Sequence, residues 1–136
     1  RSHYTHMQNS VKLNSEGIVE AFVIGEQDYE SFRKLADSAQ PLLADLRKSG
    51  KPVLGLVDLT KKGHYTVASN RAAMEMLEKM DYDRVAMFGA EDVLKEVTEM
   101  IILAMGKREN TKLFTSRDEA VAWLKSPLDS KEAAAL

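Results

Sequence analysis

The chain has 136 residues, of which 44% are hydrophobic and 29% charged, with a formal net charge of -2; that is the size and make-up of one folded domain rather than a disordered chain. So balanced a charge lacks the dense basic surface that nucleic-acid phosphate requires, and it gives little attraction to anionic membranes. There is no cysteine, which excludes disulfides, zinc thiolates, iron–sulfur clusters and cysteine nucleophiles and fits a reducing cytoplasm, the expected location.

The opening Arg1-Ser2-His3-Tyr4-Thr5-His6 reads as a vector remnant ahead of a start at Met7, so residues 1–7 carry no functional weight, His3 and His6 included. Val11 to Leu13 and Ile18 to Ile24 are short apolar runs. Asn14-Ser15-Glu16-Gly17 between them is rich in turn formers, which predicts a β-hairpin. From Tyr29 the period changes: Phe32, Leu35, Ala36, Ala39, Leu42, Leu43 and Leu46 recur at steps of three and four, one face of an amphipathic helix. Pro41 inside that pattern removes a backbone donor and predicts a kink or two helices meeting. Gly50, after the basic pair Arg47 and Lys48, suits a helix C-terminal cap.

Val53 to Val57 is a continuous apolar run with the composition of a strand buried on both faces, and Gly55 within it predicts a close neighbour. A loop is expected from Asp58 to Tyr65, then a helix with Val67, Asn70, Ala73, Met74, Leu77 and Met80 on one stripe. Arg84 to Phe88 reads as a second buried strand closed by Gly89. A third helix runs from about Glu91 to Met105, with Val93, Leu94, Val97 and Ile101 inward, and Lys112 to Thr115 is a third strand. Ser116 with Glu119 three residues later fits a capping box and opens a last helix, which Pro127 ends. Residues 127–136 are expected to form a loose tail, leaving one domain over 8–126. The alternation of strand and helix predicts an α/β fold: a mixed sheet of about five strands, an N-terminal hairpin followed by parallel βαβ units, packed with helices.

Three segments carry a resemblance: Asp28 to Phe32 opening a long helix after two strands, Asp83 to Gly89, and Leu113 to Leu124 with its cap, Glu-Ala step and Trp-Leu pair. Together they resemble the SpoIIAA-like proteins of bacteria, over roughly Val11 to Lys125. The resemblance implies a STAS-like fold, also compared with CRAL-TRIO lipid-binding domains. In STAS domains that act as anti-sigma-factor antagonists, a serine or threonine in an Asp-Ser-Ser-Gly motif at a helix start is phosphorylated. Here the matching stretch reads His64-Tyr65-Thr66-Val67-Ala68-Ser69. Thr66 or Ser69 stands near the phosphorylation position, without the aspartate or glycine.

Ligands of open α/β sheets bind outside the carboxyl ends of the strands. Asp58, Thr60, Lys61, Lys62, His64, Tyr65, Thr66 and Gly89 should gather there. The lysines and a helix N-terminus near Thr66 could hold an anion. The plainer alternative is a solvated loop with Asp58 capping backbone donors, since no glycine-rich phosphate pattern is present. His64 is the only histidine beyond the opening segment. With Asp58 and a nearby hydroxyl it has the atoms of a hydrolase or transferase, although an exposed loop histidine explains it as well. No catalytic set, metal cluster or cofactor fingerprint is complete. The first expectation is therefore a non-enzymatic regulatory or ligand-binding module for a protein partner or a small apolar, lipid-like ligand; the second is the His64/Asp58 enzyme. Met100 to Met105 is apolar all round the helix, which predicts a homodimer through Ile102 and Met105.

Overall fold

The computed structural model describes residues 8–63, 67–104, 106 and 109–127, with side chains placed throughout except at 67–71, 74 and 92–94. The opening segment and the tail from residue 128 lie outside the described residues. Five strands form one sheet in the order β1-β2-β3-β4-β5. They are β1 (Ser10–Leu13), β2 (Val19–Gly25), β3 (Leu54–Lys62), β4 (Arg84–Phe88) and β5 (Thr111–Phe114). β1 and β2 form the expected antiparallel hairpin, while β2, β3, β4 and β5 run parallel. The hairpin turn is held by Asn14, whose side-chain oxygen accepts the amides of Glu16 at 2.8 Å and Ile18 at 3.1 Å. Four helices follow the parallel strands in turn: α1 (Tyr29–Lys48), α2 (Val67–Lys79), α3 (Asp92–Ala104) and α4 (Arg117–Lys125).

The two faces of the sheet are covered unequally. Val19, Ala21 and Val23 of β2, Val57 and Leu59 of β3, and Val85 and Met87 of β4 alternate onto one face and pack with Phe32, Leu35, Leu43 and Leu46 of α1 and with Leu77 of α2. Each fully buried aliphatic or aromatic side chain there contributes about 1.5–3 kcal/mol. The opposite face holds Leu56, Ala86 and Phe88 under Ala120 and Leu124 of α4. Gly55 is where β4 comes close: a Cβ there would stand 3.1 Å from Val85 Cγ2.

α1 differs from expectation in being one helix with Pro41 inside it. Pro41 and Asp37, whose carbonyl loses its intrahelical donor, both lie on the exposed side, where water can take the place of the missing bond. The helix ends in a Schellman motif: Lys51 N–H donates to Leu46 O at 3.2 Å and Gly50 N–H to Arg47 O at 3.2 Å, with Gly50 at φ +77.

α3 places the two residues expected at an interface differently. Ile102 is only 4% exposed, so it is a buried residue and not a free contact point; the exposed apolar side chains are Met100 at 70% and Leu103 at 59%. At 100° per residue Ile101 and Ile102 share one buried arc, whereas positions 100 and 103 fall on the other side of the axis. Met105 lies outside the described residues.

β4 begins with a buried charge. Arg84 is 3% exposed. Its Nη1 donates to Trp123 O at 2.7 Å, Ser126 O at 3.1 Å and Ser126 Oγ at 2.9 Å, and Nη2 reaches Pro127 O at 3.4 Å. The guanidinium also stacks 4.8 Å from the Trp123 ring centroid. A cation thus gathers the carbonyls of Trp123, Ser126 and Pro127 at the end of α4, where the Ser126 N–H also donates to Trp123 O at 3.1 Å. Arg84→Met should lower the free energy of unfolding in urea by about 2–4 kcal/mol, since buried carbonyls lose charged donors. A loss below about 0.5 kcal/mol, the scale of a surface change, would contradict this role.

Candidate ligand site at the carboxyl ends of the strands

The parallel strands advance in one direction across the sheet, β2 to β5, without reversing. The crevice that a reversal of strand order opens in doubly wound sheets is therefore not built here. What the strand ends do offer depends on β3, which runs to Lys62 and overturns the expected loop from Asp58. Phe22 pairs with Asp58, but Ile24 pairs with Lys61, so β3 carries one extra residue opposite β2. That irregularity is a bulge, which re-aims the side chains beyond it.

Asp58, Thr60 and Gly89 come together as a structural join. Asp58 Oδ1 accepts from Thr60 N at 2.9 Å and from Thr60 Oγ1 at 2.6 Å. Gly89 has φ +85, and a Cβ there would lie 2.3 Å from Thr60 Cγ2 and 3.0 Å from its amide nitrogen. Only glycine fits both that backbone and that approach. The plainer reading of Asp58, as a cap for backbone donors, is the one the geometry supports. Lys61 is exposed. His64, Tyr65 and Thr66 lie outside the described residues, and so does the side chain of Ser69 in the first turn of α2.

Lys62 is different. It pairs with Gly25 at the last rung of the β2–β3 ladder. Gly63 N–H closes that end by donating to Gly25 O at 2.8 Å, and the Glu26 carboxylate sits against Gly63, with Oε2 2.5 Å from where a Cβ would stand. The Lys62 ammonium is shut off from solvent and makes no hydrogen bond. Burial pushes its pKa below the ordinary 10.5 and outweighs the charge of Glu26, which pulls the other way. An ammonium has three N–H donors to place. A buried cation without a hydrogen-bond partner is costly, and perturbed ionisable groups cluster at functional sites. The residue as a whole is only half-buried, so its flexible stem can carry Nζ outward.

The sequence also left unmarked a groove of about 610 Å³ between β1 and the first turns of α1. Its amides, Asn9 and Gln27, lie 18 positions apart in the chain, and only tertiary packing brings them together. Among the described residues no group of three or more His, Asp or Glu could hold a metal ion, and no helix is long and apolar enough to cross a membrane.

With this fold in view, the comparisons agree with the segments that carried the resemblance. The sequence profile of the SpoIIAA-like family matches residues 18–125. The chain belongs to the SpoIIAA-like family. Its fold is similar to the crystal structure of an uncharacterised protein with a SpoIIAA-like fold from Shewanella loihica PV-4, at 18% identity and a TM-score of 0.60, over 86% of this chain and 93% of that one. No match was found among curated proteins.

The unfolded chain holds the Lys62 proton more tightly than the folded one. Between the depressed folded pKa and 10.5 the unfolded state therefore binds more protons, and stability rises with pH through that window; it is lost as pH falls through the folded pKa. Lys62→Met should accordingly be more stable than wild type at neutral pH, by about 1 kcal/mol, with the gap closing towards pH 10.5. Thermal unfolding measured across that range checks both the sign and the slope. A variant that is less stable at neutral pH would contradict the assignment.

Proposed function

We propose that this chain is a non-enzymatic binding module that receives an anionic group, on a protein partner or a small molecule, at the carboxyl ends of β2 and β3. The observation that carries the reading is the buried Lys62 ammonium without a hydrogen-bond partner. A carboxylate or phosphate oxygen would supply what it lacks. Exposed Lys61 beside it adds charge at the same edge. Phosphorylation of Thr66 or Ser69 would put an anion close by in the chain and compete with an outside ligand for the same cation. The polar walls of the groove between β1 and α1 favour a hydrogen-bonding ligand over a lipid chain. Self-association through α3 would use Met100 and Leu103.

A hydrolase or transferase built on Asp58 and His64 has less support, because Asp58 Oδ1 is already engaged by the amide and the hydroxyl of Thr60. The two readings separate in one set of measurements. Titration with inorganic phosphate should move the amide NMR signals of residues 24–26 and 62–63 in wild type and leave them still in Lys62→Met. An unresponsive wild type at high millimolar phosphate would contradict the binding reading. Turnover of p-nitrophenyl acetate that His64→Ala abolishes would establish the enzyme instead.

A further inference from the structure

Among the described residues no strand pairs with the outer side of β1, the edge of the sheet. Its ladder to β2 is phased by Asn14 N–H donating to Ile18 O at 2.9 Å. Hydrogen-bonded and non-bonded pairs alternate along an antiparallel ladder, so Lys12 opposite Glu20 and Ser10 opposite Phe22 direct their backbone groups to β2. Val11 and Leu13 then turn their N–H and C=O away from the sheet. The groove runs beside this edge. One wall is Val11 and Asn9; the other is a single stripe of α1, Ser31, Leu35 and Ser38, at helical spacing. Its inner end is fixed by the Asn9–Gln27 amide pair, bonded in both directions at 2.6 and 3.1 Å, with Gln27 only 5% exposed.

We propose that this edge and groove take an extended peptide segment of a partner protein, which adds to β1 as a further strand and sends alternate side chains between β1 and α1. Outward backbone donors and acceptors at every second residue call for an extended backbone, and a groove alongside such an edge is the arrangement used in strand addition. The volume of about 610 Å³ lies within the range of ligand sites. Hydroxyl and amide groups, the charged Glu26, Lys34 and Asp37, and the apolar Val11 and Leu35 line it, which suits polar or charged side chains of modest size that hydrogen-bond. A second copy of this chain is disfavoured in the register whose two-fold axis passes through Lys12, where like charges on facing strands repel. This inference does not rest on Lys62.

The test uses a phage-displayed random peptide library panned on the full chain, with the selected peptides synthesised and their affinities measured. Leu13→Pro removes one outward N–H without touching the β1–β2 ladder, which an edge strand tolerates. Ser38→Trp fills the groove from an exposed helical position. Each variant should weaken peptide binding at least tenfold with unchanged thermal unfolding, and N-methylation of alternate peptide amides should do the same. Lys62→Met should bind the peptides as wild type does. If Leu13→Pro does not fold, Ser38→Trp and the methylated peptides decide alone. The proposal is overturned if no peptide is selected, if binding survives both the groove substitution and methylation, or if wild type sediments as a dimer that Leu13→Pro separates.

Discussion

One nine-residue helix, α4, covers Leu56, Ala86 and Phe88 at the centre of one face of the sheet, and it is held there by charge at both ends. At its start Arg117 reaches down to Glu20 of β2 at 3.2 Å, a carboxylate whose side chain is only 5% exposed. At its end Arg84 gathers the last carbonyls and lies against Trp123, which in turn sits 5.7 Å from Phe114 of β5. A short helix has little propensity to stand alone, so tertiary contacts supply its stability. The apolar contacts of Ala120 and Leu124 supply area, while the two arginines fix position along the strands. With α4 placed, Leu56, Ala86 and Phe88 are covered and the sheet is buried on both faces at its centre.

That arrangement leaves the functional burden to the margins. The central strands are committed to packing, and the Asp58–Thr60–Gly89 join is tight enough that it stiffens the strand ends rather than opening them. Beside it the bulge in β3 carries the chain to Lys62, whose ammonium is the one buried side-chain nitrogen or oxygen without a hydrogen bond among the described residues. The contrast between the two lysines at this edge is informative. Lys61 is solvated and interacts with any anion only through screened charge, whereas Lys62 has already lost its hydration, so an anion reaching it would recover interactions that the folded chain forgoes.

Much of the framework was legible because burial on both faces writes a continuous apolar run into a strand. Val53 to Val57 and Arg84 to Phe88 announced β3 and β4 in that way, and their parallel pairing followed from the helices between them. Ser116 and Glu119 marked the start of α4, where Glu119 N–H donates to Ser116 Oγ at 3.2 Å. The second half of β3 was not legible, because Asp58, Thr60, Lys61 and Lys62 are polar and their strand is maintained by backbone pairing with β2 beyond the apolar core. Arg84 passed as a strand terminus, since nothing local reveals that the end of α4, some forty residues on, needs a cation. Lys62 was legible as a candidate at the strand ends together with Lys61, but nothing in the sequence separated the two, because the burial of Lys62 depends on the β2–β3 register that sets it opposite Gly25. The exposed apolar pair on α3 shows where the helical pattern underdetermines the structure. The helical repeat correctly required some residues to face outward, but the choice between Ile102 and Leu103 depended on a rotation about the axis that the pattern alone does not fix.

The central claim is that Lys62 is a desolvated cation awaiting an anion. Site-resolved NMR titration of its Cε and Nζ signals reads that state directly. The account requires a midpoint below the ordinary 10.5 in the free protein and an upward movement of that midpoint when inorganic phosphate is added. A lysine that titrates at its ordinary value, or one whose midpoint ignores phosphate, would contradict it.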